Sequence, residues 1–333
     1  MLYFRFKRLK LIKRLLQVHQ RQIRIIFTCV LFTLMQINAF GQKELAITID
    51  DPNTVETPML SWNERDDAIL KTLDKHKIKV ALFVCGMRVD DANGNTLLQK
   101  WDGKKHLICN HSYSHLYYNA KSKTSSVFIA DFYKGDSIIK NFKNYTRLFR
   151  FPYLKEGNTE AKRDSMRAAM NKSGYKNGQV TIDASDWYID EQIAVALRKD
   201  RNADLTPYKE YYIKHILDRA NYYDSLAKRV FQKDIKHTLL IHHSLLNALF
   251  LDDLLSALTA NGWKLIDAKK AYKDAVFSKT PLIVPCGESL VWQCAKEIEK
   301  FASNLRYPAE DGEYEEELLK HYVQEYELRA GKK

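Results

Sequence analysis

Leu45-Ala46-Ile47-Thr48-Ile49-Asp50-Asp51 is a short, largely apolar run that stops abruptly on two acids. A run of this length and β-branched content predicts a strand. The same device recurs downstream, at residues 80–84, 106–110, 147–149, 179–182, 238–241 and 263–266. Segments with helical periodicity separate these runs. Ser61-Trp62-Asn63-Glu64 has the form of a capping box leading into a helix over 66–73, and further helices are predicted over 126–142, 159–173 and 246–259. Strand and helix in alternation predict an α/β chain of βα units around a parallel sheet.

Residues 188–236 are longer than one crossover needs and rich in tyrosine and charge, with Pro207 inside, so they read as a helical insertion of two or more helices. Beyond 276 the chain carries Pro281, Pro285 and Gly287, then a helical pattern with the acidic run 310–317, read as a solvated helix in a C-terminal extension, 276–333.

The formal charge of +12 at first suggests nucleic acid as a partner. Eight of the basic side chains (Arg5, Lys7, Arg8, Lys10, Lys13, Arg14, Arg21 and Arg24) lie within residues 1–41, which hold no acid, and without them 45 basic residues face 41 acidic ones. A body so nearly balanced excludes a phosphate backbone as the expected partner. The basic lead runs into an apolar stretch over 25–35 and then Ala39-Phe40-Gly41, the layout of a cleaved export signal over 1–41. Export to the periplasm or the medium is expected, with a membrane tether only if the signal is retained. Of the remaining cysteines, Cys286 and Cys294 stand close enough in sequence to pair, whereas Cys85 and Cys109 read as buried hydrophobes.

Nearly every polar cluster begins where a predicted strand ends, which is where parallel βα architectures place their active sites. Asp50-Asp51 follows the first run, and His111-Ser112-Tyr113-Ser114-His115 the third. Arg150-Phe151-Pro152-Tyr153, Asp183-Ala184-Ser185-Asp186-Trp187 and His242-His243 follow later ones. The histidines, four apart, are expected on one face of a helical turn, and two imidazoles with one carboxylate make a catalytic divalent-metal set. Two adjacent aspartates repel, so a cation is expected beside them. Alone, Asp-Asp-Pro-Asn is equally good turn chemistry.

In order and content these five blocks resemble the polysaccharide deacetylases of the NodB homology type, also called carbohydrate esterase family 4, over 45–268. The resemblance implies a distorted (β/α)7 barrel, here over 42–275. It implies Asp50 as general base, held by Arg150, and Asp51, His111 and His115 as metal ligands, with zinc first and cobalt, nickel or iron as alternatives. His242 would be the general acid. Asp186, in preference to Asp183, would orient it, and the Leu-x-Ile-His register favours His242 over His243. Tyr153 would offer its backbone N–H to the oxyanion, and Trp187 would wall the sugar groove. The implied reaction is removal of N-acetyl or O-acetyl groups from an envelope or extracellular glycan. Two other readings compete: a non-catalytic glycan-binding relative, against which the intact base, acid and ligand candidates argue, and a non-haem iron oxygenase using the same donors.

Overall fold

The central strand β1 (Lys43–Asp50) is covered on both faces, with every side chain from Leu45 onward buried, which is how a strand without a polar face is stabilised. It pairs in parallel with β2 (Ala81–Val84) on one side and along its length with β7 (Lys236–His242) on the other; its first three residues also pair with β8 (Trp263–Leu265). Strands β3 (Leu107–Asn110), β4 (Tyr145–Phe149) and β6 (Lys176–Asn177) continue outward from β2, giving the order β6-β4-β3-β2-β1-β7. In this computed structural model residues 42–303, 305–307 and 312–331 are described, so the expected export signal over 1–41 lies outside them.

The sheet curls until its two ends are joined by one short segment. β6 pairs with β4, and five residues later Ile182 bridges Leu239 of β7. The continuous strand expected over 179–182 is therefore corrected to a two-residue strand and a lone bridge, because this segment must leave one edge and cross to the other. Gly178 sits at the crossing, where a Cβ would lie 2.4 Å from the Phe83 ring. The result is a parallel, barrel-like α/β fold, as the strand and helix alternation predicts.

The helices close to prediction are those whose ends are capped. Ser61 and Glu64 form the capping box of Trp62–Lys75, Thr124 caps Ser125–Ile139, Thr159 caps Glu160–Lys172 and Ser244 caps Leu245–Ala260. The insertion forms two helices, Asp186–Lys199 and Thr206–Phe231, with Pro207 in the first turn of the second, where its missing N–H is harmless. A helix at Ala92–Gly103 and a small antiparallel ribbon of β5 (Lys155–Gly157) with β9 (Cys286–Gly287) carry no clear periodic signal and were not expected. Among the described residues all four cysteines are buried free thiols, so Cys286 and Cys294 do not pair; the Cys286 Sγ instead lies 3.2 Å from Arg167 Nη2.

The C-terminal extension shares the main core. Leu290, Val291 and Leu319 are buried in the same hydrophobic cluster as Leu45 and Ile47. Its acidic run is not wholly solvated: on the helix Glu313–Arg329, Glu315 is fully buried. Its carboxylate accepts from Tyr211 Oη and Tyr307 Oη, both at 2.9 Å, and from Arg219 Nη2 at 3.1 Å, with His215 Nδ1 at 3.3 Å. These partners outweigh burial and hold the carboxyl far below the usual range. Glu315→Ala leaves Arg219 buried without its counter-charge, and such a loss costs roughly 3–5 kcal/mol. Chemical denaturation of the purified protein checks this, a change below about 1 kcal/mol being the contrary result.

Candidate active site

β1 delivers two carboxylates to the same end of the sheet but in different directions. Asp50 keeps the strand conformation, whereas Asp51 turns left-handed at φ 58°, its N–H donating to the Phe83 carbonyl at 3.1 Å. A left-handed residue directly before Pro52 is a strained arrangement, of the kind that costs on the order of 1–3 kcal/mol and gathers at functional sites.

Asp50 is buried and bonded through Oδ1 to Arg150 Nη1 at 2.5 Å, while Oδ2 lies 3.6 Å from His111 Nε2. Arg150 is itself fully buried. It donates from Nε to the Gly178 carbonyl at 2.9 Å and from Nη2 to Tyr272 Oη at 3.0 Å, and its guanidinium lies over the Phe83 ring at 3.9 Å. Burial pushes the Asp50 carboxyl up to about 6, with Arg150 opposing.

The histidine pair corrects the expected helical turn. Residues 111–115 form an irregular loop with Ser112 at φ 65° and His115 at φ 52°. Side chains build it: Asn110 Oδ1 accepts the Ser112 N–H at 2.9 Å, Ser112 Oγ accepts from His115 at 3.1 Å, and Asp131 accepts the N–H groups of Tyr113 and Ser114. Gly135 of the helix Ser125–Ile139 lets that helix approach, since a Cβ there would lie 2.7 Å from the Ser112 carbonyl oxygen. The loop still brings the imidazoles together, with ring centroids 4.9 Å apart.

His111 Nδ1–H donates to the Arg150 carbonyl at 2.8 Å, which leaves Nε2 as a lone-pair donor. One ligand atom each from Asp51, His111 and His115 lie within 4.8 Å of one another, and Asp51 Oδ1 is buried without a hydrogen-bond partner. That orphaned oxygen beside two imidazoles is the donor chemistry of a divalent-metal site, so these residues fit the ion. Burial favours neutral imidazoles, pushing His111 down to about 3 and lowering His115. Against its own burial, the Asp51 carboxyl is held low by His115, His111 and Arg88, whose Nη2 lies 3.5 Å from Oδ2.

His242, at the end of β7, forms the opposite wall. Its Nδ1 lies 2.8 Å from Asp186 Oδ1 and its backbone N–H donates to Asp186 Oδ2 at 2.8 Å, leaving Nε2 for the cleft. Burial opposes the charged ring, but the Asp186 carboxylate, with Asp50 and Asp51, raises it to about 10. Asp186, not Asp183, thus partners His242. The His243 ring is buried and engages Asp66 instead, its Nε2 lying 3.2 Å from Oδ1. Tyr153 is left-handed at φ 56° in a tight turn after β4 and stacks edge-on against His115 with centroids 4.6 Å apart.

Asp50, Asp51, His111, His115, Tyr153 and His242, with Trp187, line one cleft of about 550 Å³. The sequence reading missed several of its members. Arg88 follows β2 without a spacing signal; outside the cleft, Tyr272, at the end of the short helix Ala268–Ala271, supports Arg150 and carries none either. Asp190 lines the cleft one helical turn after Asp186, a spacing that would have marked it; burial raises its carboxyl to about 6.

Among solved structures the chain is similar to the peptidoglycan deacetylase PdaC of Bacillus subtilis, with 24% identity over 70% of this chain and 91% of that one and a TM-score of 0.45. It is also similar to a CE4 family pseudoenzyme from Bacillus anthracis (18% identity, 69% and 66% covered, TM-score 0.48) and to a family 4 carbohydrate esterase from Streptomyces lividans (16%, 69% and 95%, 0.45). No curated protein sequence matches it. The family model described as polysaccharide deacetylase matches residues 38–178, the stretch that carries Asp50-Asp51, His111, His115 and the block from Arg150 to Tyr153. Over residues 38–178, then, the chain is similar to the polysaccharide deacetylases.

Proposed function

We propose that the protein is a metal-dependent deacetylase that hydrolyses N-acetyl or O-acetyl groups of an envelope or extracellular polysaccharide and releases acetate. One observation carries the reading. An arginine-held carboxylate, a three-donor metal set and a histidine with its own aspartate face one cleft at the carboxyl ends of parallel strands of one sheet.

In this reading Asp50 is the general base. Burial keeps its affinity for a proton near that of a working base, and the Arg150 bond fixes one oxygen so that the other faces the reacting water. Asp51, His111 and His115 hold a divalent ion, zinc first; when bound, it polarises the acyl carbonyl and acidifies water. The Tyr153 backbone N–H supports the oxyanion. His242, protonated through its bond to Asp186, gives its Nε2 proton to the leaving nitrogen or oxygen. Trp187 forms a wall for the sugar. The barrel takes up 42–275 with the insertion 188–236, and 276–333 is the extension. The signal over 1–41 directs export.

Asp50→Asn keeps the ligand trio but removes the base, so acetate release falls by at least about 100-fold while bound metal is unchanged. His111→Ala loses both. Metal analysis paired with acetate release from an acetylated glycan panel checks this, and normal release from either variant sinks the assignment.

The acid must be protonated, so activity falls as pH rises through the pKa of His242. Asp186→Asn removes the carboxylate that raises this pKa, and the alkaline limb of kcat/KM moves to lower pH. A limb that stays in place in Asp186→Asn rejects His242 as the acid. For export, mass spectrometry of the mature protein is expected to find Gln42 at the N-terminus, an intact basic lead being the contrary outcome.

A further inference from the structure

The acid side of the cleft is gripped from behind by residues that the hydrolysis itself does not call for. Besides the His242 backbone, Asp186 Oδ2 accepts from Asn247 Nδ2 at 3.0 Å. The same Nδ2 lies 2.8 Å from the His242 carbonyl and 3.2 Å from Ser244 Oγ. At its other end Asn247 Oδ1 accepts from Tyr212 Oη at 2.5 Å. Asn247 and Tyr212 are both fully buried, so the amide has no water to exchange with and its orientation is set by these partners.

Tyr212 belongs to the insertion helix Thr206–Phe231, and one turn further along that helix His215 makes a second grip. Its Nε2 accepts the backbone N–H of Ser185, the residue before Asp186, at 3.0 Å, so its proton sits on Nδ1, facing Glu315. One helix therefore holds Asp186 twice, by the carboxylate through Asn247 and by the backbone through His215.

We propose that Asn247, fixed by Tyr212, is a positioning residue for His242, and that the insertion helix is part of the acid apparatus. Two oxygens of Asp186 have distinct duties. Oδ1 bonds the His242 ring, and Oδ2 is tied to the His242 backbone and to Asn247. Without Asn247 one of the two anchors of Oδ2 is gone, the carboxylate rotates, and the ring no longer presents its Nε2 proton in line with the leaving group. This inference rests on the reading of His242 as general acid.

The test uses the full, metal-loaded chain with Asn247→Ala, Tyr212→Phe and the double variant. General acid catalysis is worth roughly 100- to 10,000-fold, so partial misalignment in Asn247→Ala lowers kcat on an acetamido glycan about 10- to 100-fold with KM nearly unchanged. On para-nitrophenyl acetate, whose leaving group needs no proton, the loss stays below about threefold. Tyr212→Phe gives a smaller loss, and the double variant matches Asn247→Ala because both act through one amide. Independently of turnover, the downfield imidazole N–H resonance of the His242–Asp186 bond, identified by its loss in Asp186→Asn, shifts or broadens in Asn247→Ala. Equal losses on amide and activated ester, or an unmoved resonance, overturn the proposal. A wild-type protein that releases no acetate but shows the resonance change overturns the deacetylase reading and leaves the positioning role standing.

Discussion

A carboxylate at the buried end of a strand must be compensated, and the Asp50–Arg150 pair is how this chain does it. Isolated, either charge would cost several kcal/mol in the barrel interior, and the pair is tolerable only because every guanidinium nitrogen has a partner. That requirement fixes much else. The Gly178 carbonyl must face inward, so the crossing segment from β4 to β7 has to pass close to Phe83, and only glycine fits there. The Arg150 carbonyl in turn sets the tautomer of His111. One buried ion pair thereby connects the closure of the sheet to the lone pair that a metal needs.

The second constraint is directional. Consecutive strand residues point to opposite faces, so two adjacent aspartates in an extended chain cannot both reach one cleft. The left-handed turn at Asp51 resolves this, and the left-handed residues at Ser112, His115 and Tyr153 do the same for the facing loops. Left-handed residues at Asp51, His115, Tyr153 and Leu154 line one cavity, where local backbone preference has yielded to the demands of the site.

This also explains what was legible in the sequence. The strand ends and their polar clusters were readable because a parallel sheet makes position along the chain equivalent to position in space: β1, β3, β4 and β7 all deliver their next residues to one end. The expected helical turn at His111–His115 fails because spacing specifies separation along the chain and not its path; Asn110 bends that path from next door, and Asp131 from 18 residues beyond Tyr113. Tyr272 and Asn247 stayed invisible for a related reason. Each matters through a partner that lies far away in sequence, Arg150 for one and Asp186 and Tyr212 for the other, so no window of sequence contains both halves. The burial of Glu315 escaped notice because an acidic run on a helix differs from its neighbours only in what packs against it.

The two titrating walls of the cleft are set apart by the same variable used in opposite ways. Asp50 is buried and His242 largely so, and desolvation disfavours charge on each. Asp50 faces a single arginine whose charge is shared among several acceptors, so desolvation prevails and the carboxyl rises toward neutrality. His242 faces a carboxylate with no competing cation, so attraction prevails and the ring keeps its proton. A carboxylate that can accept a proton and an imidazolium that can give one at the same pH, as the proposed reaction requires, follow from this asymmetry in counter-charge, although the His242 ring is the more exposed of the two. The insertion helix, by gripping Asp186 through Asn247 and through the Ser185 backbone, stabilises the half of this arrangement that depends on a single bond.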